Sequence, residues 1–124
     1  MIAMPKTITF DTVQAMGLAL PGVEEGTTYG ARSLKVDGKK FACPAIHRSA
    51  EPDTLGVRID FAQRDELMAA DPEAYYLTDH YVNYPVVLVR LSRIHPDALR
   101  DLLAMAWRYV SASAKRPGRR RRSV

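Results

Sequence analysis

Three features of this 124-residue sequence predict an α+β fold, an antiparallel sheet with helices packed on one face. Asp37-Gly38 sits between two strand-like runs and is the strongest short-range signal of a β-hairpin, because both turn positions tolerate positive φ. Pro85 to Leu91 is a run of Val and Leu carrying Arg90 near its end, the pattern of a buried strand. From Pro96 to Ser111, Leu99, Leu102, Leu103, Ala106 and Val110 recur at helical spacing and give one broad apolar face. The predicted order is helix, four strands, helix, two strands, helix (α-β-β-β-β-α-β-β-α).

Residues 1–8 read as a loose lead-in. A first helix is expected from Asp11 to Leu20, with Asp11 as cap, Gln14 completing a capping box, and Gly17 a mild weakness. Pro21-Gly22 ends it. Thr27–Tyr29 reads as a short strand, and Ser33–Val36 and Lys39–Ile46 as the two arms of the hairpin. Pro44 cannot donate to a sheet ladder, so it is expected at a bulge or an edge. After the polar loop His47–Asp53, Thr54–Ile59 is a strand and Phe61–Ala70 a helix stopped by Asp71-Pro72. Tyr75–Leu77 and Val86–Leu91 are strands on either side of a polar, aromatic loop. The last helix has His95 at its cap, Pro96 at the favoured first position and Asp97 complementing the macrodipole.

The length fits one domain, expected over residues 1–114. A content of 47% hydrophobic and 26% charged residues is that of an ordinary soluble globular chain. No apolar run approaches the roughly 20 residues needed to span a bilayer, and MIAMPKTITF lacks the pattern of a signal peptide. A cytoplasmic location is expected. Cys43 is the sole cysteine, which excludes an intrachain disulfide and a multi-cysteine metal site. The net charge of +4 is unevenly spread, because Lys115, Arg116, Arg119, Arg120, Arg121 and Arg122 crowd the last ten residues. The remaining 12 basic residues are outnumbered by 14 acidic ones. The high pI therefore belongs to residues 115–124, expected to be a disordered basic tail that attracts polyanions by counterion release.

Two further stretches carry candidate chemistry. Along the hairpin Arg32–Lys40, alternation puts Lys35 and, across the turn, Lys39 or Lys40 on one face, where they could lie along a phosphate backbone. The plain alternative is a solvated hairpin whose lysines discourage edge aggregation. In the loop Thr78-Asp79-His80-Tyr81, with Tyr84 beyond it, an Asp could orient a His for proton transfer, or the tyrosines could hold a ligand. The alternative is a turn bonded by Thr78 and Asp79 with the tyrosines packed on the sheet. No nucleophile is marked, so no catalytic residue is assigned. His47, His80 and His95 show no ligand spacing, so no metal or cofactor is expected. Trp107 and Tyr109 read as half-core residues, and Cys43 as a buried small hydrophobe.

Taken together, LALPGVEEGTTYG (Leu18 to Gly30), LKVDGKKFA (Leu34 to Ala42), Arg64-Asp65-Glu66-Leu67, TDHYVNYPVVLVRL (Thr78 to Leu91) and Ala106-Trp107 resemble the MmcQ/YjbR family of small bacterial proteins, over about residues 9–111. The resemblance implies an α+β fold similar to type III secretion chaperones and to the frataxin relative CyaY. It also implies a DNA-binding label that rests on wing-like hairpins, and it brings no catalytic residues. The expected function is non-enzymatic binding of double-stranded DNA by Arg32, Lys35, Lys39 and Lys40, helped by Arg119, Arg120, Arg121 and Arg122. The alternatives are a protein- or peptide-interaction module and a small-ligand binder using Thr78, Asp79, His80, Tyr81 and Tyr84. The oligomeric state and any base preference stay open.

Overall fold

A computed structural model of the chain describes residues 8–28 and 30–114. Most of the expected lead-in, Tyr29 of the expected Thr27–Tyr29 strand, and the tail with Arg119, Arg120, Arg121 and Arg122 lie outside the described residues. The elements are α1 (Phe10–Leu18), β1 (Val23–Thr28), β2 (Ala31–Val36), β3 (Lys39–Pro44), β4 (Thr54–Arg58), α2 (Phe61–Ala70), β5 (Tyr75–Tyr76), β6 (Val86–Arg90) and α3 (Pro96–Ala114). This is the α+β order predicted from the sequence. The six strands form one antiparallel sheet in the order β1-β2-β3-β4-β6-β5. No helix among the described residues is long and apolar enough to cross a membrane.

Residues opposite one another in an antiparallel ladder share a face, and neighbours along a strand alternate. Leu34, Val36, Ala42, Leu55, Val57, Val87, Val89 and Tyr75 thus share one face. There they are buried with Val13 of α1 and with Leu99, Leu102, Leu103, Ala106 and Val110 of α3. Each Val or Leu among them contributes about 1.5–3 kcal/mol through burial. Ile8, expected in the loose lead-in, is also part of this core. The opposite face carries Lys35, Lys40, Cys43, Gly56, Arg58, Val86, Tyr76 and Arg90, with Leu88 buried between Gly56 and Tyr76.

Local chemistry sets the element ends. Asp37 and Gly38 both have positive φ, 54° and 77°, as the hairpin signal requires. Asp60 caps α2, its carboxylate accepting from the Gln63 N–H at 2.8 Å. His95 Nδ1 accepts from the Asp97 N–H at 3.1 Å at the start of α3. Trp107 Nε1 donates to the Pro21 carbonyl at 2.8 Å, tying α3 to the exit of α1.

Three expectations are corrected. The capping residue of α1 is Thr9, without a side-chain bond. Asp11 instead meets Arg32, and the Gln14 amide donates to Glu25, so no capping box closes. Gly17 is no mere weakness either, because a Cβ there would collide with Leu34. The irregularity foreseen at Pro44 lies three residues earlier. Leu34 pairs with Ala42 and Lys35 with Lys40, leaving Phe41 unopposed as a bulge. Phe41 and Ala42 are both buried, and Cys43 returns to the open face opposite Gly56.

Candidate functional site

The open face of the sheet is hollowed into a cleft of about 800 Å³. Its floor is Lys40 and Cys43 of β3, Gly56 and Arg58 of β4, and Val86 of β6. One wall is the β3–β4 loop with Ile46, His47 and Arg48; the other is the β5–β6 loop with His80, Tyr81 and Tyr84.

The walls are locked to each other. The His47 and His80 rings stack with centroids 3.5 Å apart and 10° between planes. Tyr81 presents an edge to both, and its hydroxyl accepts from the His47 N–H at 3.4 Å. Below the rings, Ser49 Oγ bonds Thr78 Oγ1 at 2.8 Å. The Ser49 N–H donates to His47 Nδ1 at 3.1 Å, which fixes that nitrogen as an acceptor. Burial pushes the His47 pKa down, and the charges of His80 and Arg48 add to the effect. Burial likewise raises the Tyr81 hydroxyl.

The β5–β6 wall is held from behind by α2. Arg64 is buried, and its Nη1 donates to the carbonyls of Tyr84 at 2.9 Å and Val82 at 3.2 Å. Its guanidinium also lies 4.7 Å from the Phe61 ring centre. With the backbone fixed in this way, the Tyr84 ring stays exposed at the mouth of the cleft, 6.4 Å from His80 and tilted by 43°.

The electrostatics are one-sided. Lys40, Arg48 and Arg58 line the cleft, no carboxylate does, and among the described residues none of the three forms an ion pair. Burial raises the Cys43 thiol pKa despite the opposing influence of Lys40 and Arg58, so the thiol stays protonated at neutral pH.

The residues singled out from the sequence divide accordingly. Lys40 is in the cleft, and Lys35 faces it across the β2–β3 register with Glu24 on its other side. Lys39 is exposed beside the turn. Arg32 is drawn away from them, bonded to Asp11 at 2.9 Å and Glu25 at 3.4 Å with Phe10 beneath it. His80, Tyr81 and Tyr84 line the cleft and Thr78 braces it. Asp79 is exposed and, among the described residues, makes no hydrogen bond to His80. Cys43, expected to be buried, is only partly so. His47, Arg48, Arg58 and Gly56 were not foreseen as site residues. For Gly56 a signal existed, a glycine inside a strand pattern. Among the described residues no group of three or more His, Cys, Asp or Glu could hold a metal ion.

The family model described as YjbR matches residues 18–109. Uncharacterized protein Rv2570 of Mycobacterium tuberculosis and uncharacterized protein Mb2600 of Mycobacterium bovis are each 41% identical over 77 residues. Those matches cover 61% of this chain and 60% of each relative, less than two thirds of their length. The crystal structure of Deinococcus radiodurans protein DR2400, described with the domain DUF419, superimposes with a TM-score of 0.71 at 21% identity, covering 94% of this chain and 90% of that one. At that identity the likeness is one of fold.

Proposed function

This chain belongs to the YjbR family, and from that premise we propose that it acts by binding, not by covalent chemistry, with the basic cleft as its site for an anionic partner. The observation that supports this reading is the convergence of Lys40, Arg48 and Arg58 on a hollow without a carboxylate. Cations without an ion-pair partner among the described residues, set around a concave, partly apolar surface, raise the local concentration of anions and hold them with little competition from the neighbouring acids. The protonated Cys43, and an Asp79 that makes no hydrogen bond to His80 among the described residues, argue against nucleophilic and general-base roles.

Inorganic pyrophosphate is the simplest probe. Its addition shifts the backbone amide resonances of β3 and β4 around Lys40 and Arg58. Arg58→Glu weakens the effect by about tenfold, equivalent to about 1.4 kcal/mol, with the melting temperature unchanged. Shifts of equal size in both proteins, or none in either, would refute the reading.

A second reading, binding of duplex DNA along the β2–β3 hairpin, is favoured by Lys35 and Lys40 facing each other next to exposed Lys39. Residues 115–124 would add non-specific attraction. In a titration of labelled duplex, the full chain and residues 1–114 both bind at low salt. The logarithmic salt slope is smaller for 1–114 by about 0.9 for each phosphate that residues 115–124 neutralise. Absence of binding by 1–114 would assign the duplex to the tail alone.

A further inference from the structure

The cleft holds a feature that the fold does not require. Gly56 lies inside β4, between Leu55 and Val57, where glycine weakens a strand. A Cβ built there would meet the Cys43 carbonyl at 3.6 Å and Val86 Cγ1 at 3.9 Å, ordinary contact distances. Its φ is not positive either. Neither backbone conformation nor packing calls for glycine at this point, and its effect is to leave the middle of the cleft floor open. A bare strand position on a concave surface is where a ligand can approach the backbone closely.

The surroundings specify the shape of such a ligand. The same cleft is lined by two exposed aromatic residues, Tyr84 and His80, the latter with His47 stacked on one face of its ring. Along β4, Arg58 follows Gly56 by two residues on the same face, about 6.6 Å further on, and Lys40 lies on the neighbouring strand. A flat, apolar-faced slot thus adjoins an anion-binding end.

We propose that the cleft takes an unpaired nucleotide unit, its base over Gly56 and Val86 against Tyr84 and His80, its phosphate at Arg58 and Lys40. The inference rests on the anion-binding reading above and adds the requirement for a planar ring. Stacking on an aromatic side chain contributes about 1–3 kcal/mol per base, so the ring supplies roughly ten- to hundredfold in affinity. The unit could be a free mononucleotide or one residue of a single-stranded nucleic acid, which share this chemistry.

Four probes separate the possibilities: ribose 5-phosphate, AMP, a single-stranded octanucleotide and the matching duplex, each titrated into the full chain. AMP binds at least about tenfold more tightly than ribose 5-phosphate. Tyr84→Ala removes that ratio while leaving ribose 5-phosphate binding unchanged. Gly56→Val, which fills the slot, weakens AMP more than ribose 5-phosphate. Gly56→Ala does the same to a smaller extent, with a melting temperature at or above wild type, so that loss of binding cannot be laid to misfolding. Octanucleotide binding stronger than AMP places the unit in a strand, and the reverse places it in the free nucleotide pool. Equal binding of AMP and ribose 5-phosphate overturns the ring requirement and leaves the anion site standing. No response to any small probe overturns both, and a preference for duplex over single strand overturns the unpaired unit.

Discussion

Arg90 and Arg58 lie on the same face of the same sheet, yet their surroundings could hardly differ more. Arg90 is saturated. Its Nε and Nη2 donate to the two Glu51 oxygens at 2.9 Å each, its Nη1 to the carbonyls of Glu73 and Pro72, and its guanidinium lies 4.2 Å from the Tyr76 ring centre. Arg58, at the far end of the neighbouring strand, faces Val86 in the register and among the described residues has no ion-pair partner. The first side chain ties the loop before β4 and the loop before β5 to the sheet. The second is left available to something outside the chain. A count of arginines cannot tell these roles apart; the position of the nearest carboxylates can.

The comparison can be tested first through Arg64, which is more deeply buried than Arg90 and spends its Nη1 on backbone carbonyls. Arg64→Ala leaves the Val82 and Tyr84 carbonyls without their donor. It lowers unfolding free energy by about 3 kcal/mol, read as a shift in urea midpoint. Arg90→Ala comes next, with a loss of about 1–2 kcal/mol, while pyrophosphate binding stays as in wild type. An Arg90 variant that lost anion binding would erase the distinction between the two ends of the sheet. Giving Arg58 a partner of its own, by Val86→Glu, makes the open arginine resemble the closed one. Stability then changes by less than about 1 kcal/mol, and anion affinity drops by at least about tenfold, since the new carboxylate competes for the site.

The smallest effect is on pH dependence. The hydrogen bond from Arg90 holds the Glu51 carboxyl below its ordinary value in the folded protein. A carboxylate depressed on folding stabilises the native state above its unfolded pKa. That contribution disappears as pH falls through the folded value. Arg90→Ala therefore flattens the acid limb of stability between pH 5 and 3 (roughly), and near neutrality it lowers stability without changing its slope against pH. His47 acts in the same direction at higher pH. Its folded pKa is depressed below 6.5, so the unfolded chain binds its proton first and stability falls as the medium drops below that value. His47→Phe removes this step.

What could be read from the sequence was local. The Asp37-Gly38 turn, the bounds Phe61–Ala70 and the helix start at Pro96 each depend on a few adjacent residues, and their chemistry acts over one turn of chain. The cleft depends on partners far apart in the sequence. His47 and His80 meet only because β3, β4 and β6 are neighbours in the sheet. Arg32 looked like part of a basic hairpin, but Asp11 and Glu25 come to it from α1 and β1. Tyr81 and Tyr84 were marked by composition alone, and the face they would occupy was settled by the turn after Thr78 and by Arg64 behind it. Arg58 carried no mark at all, since a polar residue closing a strand is the commonest of patterns.

The bulge at Phe41 gives the hairpin an odd-numbered step, and strand parity makes that step decisive. An unbroken ladder, with Phe41 paired to Leu34, would turn everything after it over, sending the thiol of Cys43 into the packed layer and offering Ala42 and Pro44 to whatever enters from solvent. The chemistry displayed by this surface is thus written in spacing as much as in an alphabet: the way one surplus residue is accommodated decides which letters of β3 face outward.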